Sequence, residues 1–397
     1  MSHKYMLTDK SPINQFLLNL YFFLYFSKPV VKHIEEFIKG AVCKGYKGTV
    51  KDIVDLSLAN CHRTTYGKFL SEGVWKEELA WKSLRKYQID LIYNNPSTKE
   101  PILVIYDDTI AEKTKPSSQA KNPIQQADFN YSHLDRKKVR SHQLFTTTLS
   151  CGNMVVPYCI QRYDKNVKSK PQMLIDVVNE LPTTEKKVYG LSDSWFPSVK
   201  VINAHLAKGY HLISALKTNR IIYPQGIRIQ IQQFAQHIRK EDCHLVTVKK
   251  SKYWVYRYEG KLNGIDNAVV LLCYAENQFK ADKALHAFIC TDTELDSQTI
   301  LEYYSRRWPI EIFFRQTKGN LGLNGYQVRT TKAIDRLLLL IALTYTYCVT
   351  RENTNNSFSK GINICRNNNK KEQVQMIYDC AKNDVPVETV FKILKVA

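Results

Sequence analysis

Residues 102–109 read Ile-Leu-Val-Ile-Tyr-Asp-Asp-Thr, and this stretch decides the fold class. Its first five residues are all apolar or aromatic, a pattern typical of a strand that is buried on both faces. Two acids, Asp107 and Asp108, follow directly. In α/β sheets, functional groups gather where strands end. The stretch therefore predicts a strand of an α/β sheet that delivers a carboxylate to a site.

A second apolar run leads to the same expectation. Residues 188–191 precede Asp193, and a helical pattern follows over 199–208. Strand, acid and helix in this order are the repeating unit of an α/β domain. Two β-rich segments, 142–149 and 155–160, are joined through Gly-Asn and predict a hairpin in the same sheet.

The rest of the chain divides by its local patterns. Residues 11–93 have helical periodicity, whereas 210–292 are mostly strand-like. Residues 112–140 are rich in Lys and Arg and predict a mobile basic loop. We expect five parts: a helical domain (1–96), a first part of an α/β core (97–209), a β-rich insertion (210–292), a second part of the core (293–350) and a C-terminal helical tail (351–397).

Three further segments have patterns of their own. Val54 to Ala59 and Arg63 to Leu70 flank a polar break and fit a helix-turn-helix that binds DNA, although ordinary helical bundles show the same pattern. Residues 94–97 (Asn-Asn-Pro-Ser) indicate a turn or linker. Residues 353–369 are rich in Asn and Ser and predict a loop before a last amphipathic stretch.

Composition limits the class of protein. Lys and Arg number 57 against 37 Asp and Glu, a formal net charge of +20. Such an excess favours a polyanionic partner, because each neutralised phosphate releases counterions. The ten cysteines show no zinc-finger spacing and predict reduced thiols in a cytosolic protein. The most apolar stretch, 17–26, is too short to span a bilayer, so we expect no membrane partner.

A candidate polar helix face lies in 304–318. At about 100° per residue, one narrow face would carry Tyr304, Arg307, Glu311, Arg315 and Lys318. Apolar residues would occupy the opposite face, and the proline at 309 should bend or divide the helix. The alternative is an exposed helix with ion pairs between residues four apart, each contributing only tenths of a kcal/mol.

Three acids could converge on one site. Asp108 and Asp193 end strands, and Glu311 arrives on a helix. About three carboxylates suffice to hold two Mg²⁺ ions roughly 4 Å apart for phosphoryl transfer, and Mn²⁺ may substitute. Arg307, Arg315 and Lys318 would then contact phosphate groups beside the metals, and Tyr304 could donate a hydrogen bond to the same phosphate.

The order Tyr304, Arg307, Glu311, Lys318 resembles the Tyr-Arg-Glu-Lys signature of one branch of DDE transposases from bacterial insertion sequences. The resemblance covers roughly residues 98–350. It implies a ribonuclease H-like core, interrupted by a β-strand insertion, that cleaves DNA and transfers strands with divalent metal ions. Double-stranded DNA, as terminal inverted repeats and target, would be the partner of a homodimer in the bacterial cytoplasm, at the nucleoid.

The resemblance also implies roles for single residues. Asp108, Asp193 and Glu311 would be the catalytic metal ligands, with Asp107 as the alternative first ligand. Lys217 and Arg220 resemble basic residues that contact DNA in this family, and a solvated hairpin end is the alternative.

One departure from the family concerns tryptophan. Members that form a DNA hairpin stack a flipped base on a tryptophan in the strand that corresponds to 286–291, and none stands there. Trp195, Trp254 and Trp308 are the other aromatic candidates, for which we expect core packing or a structural role.

The sequence thus predicts a transposase, with two rivals. A related metal-dependent nuclease or resolvase would cleave DNA without joining strands. A catalytically inactive regulator would bind DNA without turnover, and the intact set of three acids disfavours it.

Overall fold

The computed structural model describes residues 11–94, 100–132 and 135–396. The chain forms a mixed α/β structure, as the sequence predicts. Helices come before, between and after the strands, and the strands form one large mixed sheet. Part of the linker expected at 94–97 lies outside the described residues. Among those described, no helix is long and apolar enough to cross a membrane. None of the ten cysteines forms a disulfide bond among the described residues.

Six helices precede the sheet in the part of the chain that the structure describes. They are α1 (Pro12–Asn19), α2 (Phe22–Tyr25), α3 (Lys28–Val42), α4 (Val50–Leu56), α5 (Arg63–Ser71) and α6 (Glu77–Ile92). Helix α3 buries one apolar stripe with period near 3.6, including Ile34, Phe37 and Ile38. Helix α4 begins in a capping box between Thr49 and Asp52, which satisfies two free backbone N–H groups.

A buried arginine fastens these helices to the rest of the molecule. Arg336 has no solvent exposure. Its guanidinium donates to Glu77 and to the backbone carbonyls of Phe69, Leu70 and Trp75 over 2.6–3.1 Å. The carboxylate and the three carbonyls compensate the buried charge of the guanidinium. Replacement of Arg336 by a residue without a donor would leave these three carbonyls without that hydrogen bond.

Twelve strands form the sheet. They are β1 (Ile102–Glu112), β2 (Asp128–Ser132), β3 (Lys137–Cys151), β4 (Met154–Arg162), β5 (Val188–Ser192), β6 (His211–Leu216), β7 (Ile221–Ile222), β8 (Ile229–Gln230), β9 (His244–Val248), β10 (Ser251–Leu262), β11 (Ile265–Ala275) and β12 (His286–Cys290). The order is β2-β3-β1-β5-β6-β12-β11-β10-β7-β8, with β4 paired to β3 and β9 to β10.

The centre of the sheet has both kinds of pairing. Strand β1 is antiparallel to β3 and parallel to β5, and β6 is parallel to β5. The predicted hairpin is β3–β4. Strand β6 lies in the segment that we assigned to the insertion, yet it pairs with the central strands. The antiparallel strands β12, β11 and β10 continue the same sheet from its edge.

The expected mobile loop at 112–140 is partly wrong. Strand β1 continues to Glu112, and Asp128–Ser132 pairs with Lys137–Arg140 and Ser141 of β3. This part of the sheet is mostly exposed, so its strands contain few apolar residues. A strand of this kind lacks the apolar pattern on which the prediction depended.

Helices between and after the strands complete the fold. They are α7 (Lys170–Glu180), α8 (Val199–Ala207), α9 (Ile231–His237), α10 (Ser297–Ser305), α11 (Pro309–Asn320), α12 (Thr331–Val349), α13 (Phe358–Lys382) and α14 (Val387–Leu394). The proline at 309 divides the helix of 297–320, as expected. Helix α12 is buried over most of its length and packs against β4 and the N-terminal helices.

The loop predicted at 353–369 is wrong beyond residue 357, where α13 begins. Ser357 caps the helix, and its buried face contains Phe358, Ile362 and Cys365. Gly361 lies so close to α12 that a Cβ there would be 1.9 Å from the Cys348 carbonyl oxygen. The asparagines hid this helix because they occupy positions outside the packed stripe.

Two buried histidines make the fold sensitive to acid. Burial lowers the pKa of His142 and of His205 to about 4, although a backbone hydrogen bond partly opposes the shift in each. The folded pKa lies below the unfolded value of 6.5, so this contribution to stability is complete above pH 6.5 and is lost as the pH falls towards 4. We expect the free energy of unfolding to fall by up to about 3 kcal/mol per imidazole over this range.

Urea unfolding at pH 7 and pH 4.5 measures this loss. His142→Gln keeps groups that can bond to Tyr326 and to the Gln125 carbonyl, which the imidazole contacts at 2.7 and 2.8 Å. The variant should lose less stability on acidification than the wild type. An identical loss in both would contradict the assignment to His142.

Candidate active site

Asp107 and Asp108 lie within β1, and their side chains point to opposite sides, as in any strand. The Asp107 carboxylate accepts from the Arg307 guanidinium at 2.6 Å. The Asp108 carboxylate instead forms an ion pair with Lys170 at 2.9 Å and accepts from the Gln143 amide at 2.5 Å. The two neighbouring acids therefore have different partners.

Asp193 follows β5 and is level with the acids of β1. Ile105 lies opposite Leu191 in the parallel pairing, so two residues further on Asp107 is level with Asp193. The Asp193 carboxylate accepts from the backbone N–H of Trp195 at 2.9 Å, which fixes its direction. The topology thus places Asp193 level with Asp107 inside β1, whereas the sequence predicted Asp108 at the end of its strand.

Glu311 is in the first turn of α11, and Arg307 lies in the turn before it. The Arg307 guanidinium donates to Glu311 at 3.3 Å and to Asp107 at 2.6 Å. The opposite side of α11 buries Ile310, Phe313 and Phe314, as expected. Packing of this apolar side therefore turns Glu311 towards β1. Glu311 and Asp107 both bind the guanidinium of Arg307.

The site concentrates negative charge in a partly buried place. Burial raises the pKa of Asp107 to about 7; Arg307 opposes the rise, and Glu311 and Asp193 add to it. Burial also raises the pKa of Asp193, the Trp195 N–H opposes it, and Asp108 adds to it. Carboxylates that repel one another in this way are stabilised by a cation, and oxygen donors suit Mg²⁺ and Mn²⁺. The chemistry of these donors suits a divalent metal, although among the described residues the oxygens of Asp107, Asp193 and Glu311 do not all lie within 4.8 Å of one another.

The other expected phosphate contacts lie in different positions. Lys318 donates to the Thr109 hydroxyl at 2.7 Å, next to the acids of β1. The ring of Tyr304 packs on Phe288, with centroids 4.6 Å apart. Arg315 is exposed on α11. The predicted single face of 304–318 is thus formed by two helices and the turn between them.

Lys217 and Arg220 are exposed in the turn that follows β6. Since β6 runs parallel to β5, this turn lies at the edge of the sheet from which Asp193 projects. The Arg220 guanidinium donates to the Pro197 carbonyl at 2.5 Å and so connects the turn to the segment after Asp193.

The family model described as "Transposase DDE domain" matches residues 98–347, more than half of the chain. The chain belongs to this transposase family. It is a DDE-type transposase, an enzyme class that generally uses divalent metal ions. The transposase is also similar to a solved structure, the cryo-EM structure of piggyBac transposase synaptic complex with hairpin DNA. That similarity has 12% identity and a TM-score of 0.48, over 91% of this chain and 77% of that chain. No curated protein sequence matches the transposase.

Sequence reasoning missed Lys170 of the transposase. This lysine is only 6% exposed, at the start of α7. Its ammonium lies 4.8 Å from the ring centroid of Trp195 and 5.2 Å from that of Tyr163, as well as against Asp108. No local motif predicts a role for Lys170, because it lies on a helix that begins 62 residues after Asp108 and is close to this acid only in the folded chain.

The expectation of core packing is wrong for two tryptophans. Trp195 is 53% exposed and Trp308 is 57% exposed. Trp195 stands two residues after Asp193, and Trp308 stands next to Arg307. Trp254 is partly buried on β10 and donates to the Glu276 carbonyl at 3.2 Å. The transposase therefore carries two exposed indoles beside its acids.

Proposed function

We propose that this transposase cleaves DNA at the ends of an insertion sequence and transfers the freed strands to target DNA. Two Mg²⁺ ions would be held by Asp107, Asp193 and Glu311 on a ribonuclease H-like core. The observation that carries the proposal is the grouping of Asp107, Arg307 and Glu311 at the level of Asp193. The strand order β4-β3-β1-β5-β6, with antiparallel then parallel pairing, supports the core assignment.

The first ligand in this proposal is Asp107 rather than Asp108. Each acid has a cation as a partner, Lys170 for Asp108 and Arg307 for Asp107, so the presence of a cation does not separate them. Asp107 is the acid that shares Arg307 with Glu311. The motif Asp-Asp-Thr is compatible with either acid, and the register that puts Asp107 level with Asp193 supports Asp107.

The residues of the chain divide the work at this site. Bound Mg²⁺ would supply Lewis-acid activation of the attacking oxygen and neutralise charge on the leaving oxygen. Arg307 holds Asp107 and Glu311 in place and neutralises part of their charge. Lys318, next to Thr109, supplies a cation for a DNA phosphate. Lys170 neutralises Asp108, which removes one repulsive charge from the neighbourhood of Asp193.

The experiment uses duplex DNA that carries the inverted repeats flanking the coding region, with and without Mg²⁺. We expect strand cleavage and strand transfer that require the metal, and loss of both in Glu311→Gln. Glu302→Gln is the matched control, because Glu302 is an exposed acid on α10. Cleavage without joining would favour a nuclease or resolvase, and binding without cleavage would favour an inactive regulator. Full activity of Glu311→Gln would refute the site.

A further inference from the structure

A basic groove lies away from the acids, between the N-terminal helices and the segment that joins α11 to α12. It has a volume of about 500 Å³. One wall is the exposed side of α5 with the start of α4, and the other wall is residues 327–330 with the first turn of α12. Four cations line it, and no carboxylate does. They are Lys51, Arg63, Lys68 and Arg329.

Most of this charge has no counter-ion among the residues that the structure describes. Lys51 pairs with Asp55 at 2.6 Å. Arg63, Lys68 and Arg329 are exposed and form no ion pair among the described residues. Like charges held together without a partner repel one another, and an anion that bridges them relieves this repulsion. The remaining polar groups that line the groove are mostly hydroxyls, which suit phosphate oxygens.

Both walls are fixed by packing. Helix α5 buries Tyr66, Phe69 and Leu70, so its other side must face the groove. The opposite wall is held by bonds to Gln125, whose backbone N–H donates to the Arg329 carbonyl and whose side chain accepts from Thr331, both at 2.9 Å. The walls that carry these charges are therefore formed before any ligand binds, which lowers the entropic cost of binding.

We propose that this groove binds the sugar–phosphate backbone of the double-stranded DNA that the active site processes. Its walls join the N-terminal helices to the segment directly after α11, so one DNA duplex would contact both parts. The sequence fits a helix-turn-helix that binds DNA, with α5 as its second helix. Here its polar side lines a groove shared with the core, and contact with phosphates is the use that the geometry supports. This inference rests on the proposed function for the identity of the DNA.

Gly67 gives a sharp test because it lines the groove and a Cβ there would meet nothing within 4 Å. Gly67→Glu places a negative charge in the groove, and Gly67→Lys places a positive charge of similar size. Both replace a helical glycine and should fold. Val374→Glu adds the same negative charge on α13, where Val374 is 65% exposed.

Fluorescence anisotropy with labelled element-end duplex, in EDTA, measures binding without catalysis. We expect Gly67→Glu to weaken binding at least about tenfold, and Gly67→Lys and Val374→Glu to stay within about threefold of wild type. Arg329→Gln should lower the slope of log Kd against log salt by about one. Wild-type binding by Gly67→Glu with an unchanged salt slope in Arg329→Gln would overturn the groove.

The outcomes separate this inference from the proposed function. Binding that depends on Gly67 and Arg329, in a protein that never cleaves with Mg²⁺, would support the groove and refute the proposed function. Cleavage and joining by wild type, with unchanged binding in both variants, would refute the groove alone.

Discussion

Asp107→Asn should reduce DNA strand cleavage by about 1,000-fold or more, whereas Asp108→Asn should retain activity within about tenfold of wild type. Loss of a metal ligand removes several kcal/mol of transition-state stabilisation, and about 4 kcal/mol corresponds to that factor. Asp108 faces Lys170 and Gln143, and an asparagine there keeps an acceptor for the Gln143 amide. The neighbouring positions make each variant a control for the other.

Cleavage rates at saturating Mg²⁺, on the same duplex, give the comparison. Thermal unfolding of both variants must accompany them, because Asp108→Asn leaves the buried Lys170 without its anion and should lower stability. The reverse ranking, with Asp108→Asn inactive and Asp107→Asn active, would restore the assignment that the sequence motif suggested.

Gly325→Ala should destabilise the protein by roughly 3 kcal/mol or more, since overpacking against backbone cannot relax by rotation of a side chain. A Cβ at Gly325 would lie 1.7 Å from the Lys47 carbonyl oxygen. The nearby pair Gly48 and Gly322 are in similar contact, with a Cβ at Gly322 only 2.3 Å from the Gly48 Cα. This contact joins the N-terminal helices to the segment that follows α11.

Gly319→Ala is the matched control, because a Cβ at Gly319 meets nothing within 4 Å and alanine favours a helix. Urea unfolding should show Gly319→Ala at or above wild-type stability and Gly325→Ala well below it. Equal stability of the two variants would contradict the close contact at Gly325.

The sequence predicted the parts of the site that depend on local patterns. Apolar runs marked the strand that contains Asp107 and the strand that Asp193 follows, and the helical period marked the side of α11 that carries Glu311. The division of the helix at Pro309 followed from the missing backbone N–H. These features depend on residues a few positions apart, so one sequence suffices to find them.

Features that depend on distant contacts were not predictable in this way. The choice of Asp107 or Asp108 as the first metal ligand depends on which side of β1 faces α11. These two elements are about 200 residues apart in the sequence. Lys170 is brought to Asp108 by the packing of α7. The sequence assigns the residues of β6 to an insertion, because no local pattern shows that this strand pairs with β5.

The position of bound metal tests the central claim most directly. Crystals of the transposase grown with element-end DNA and Mn²⁺ would give anomalous difference peaks at the metal sites. We predict peaks within coordination distance of carboxylate oxygens of Asp107, Asp193 and Glu311. Peaks coordinated by Asp108 in place of Asp107, or no peak at any of these acids in a DNA-bound complex, would contradict the account.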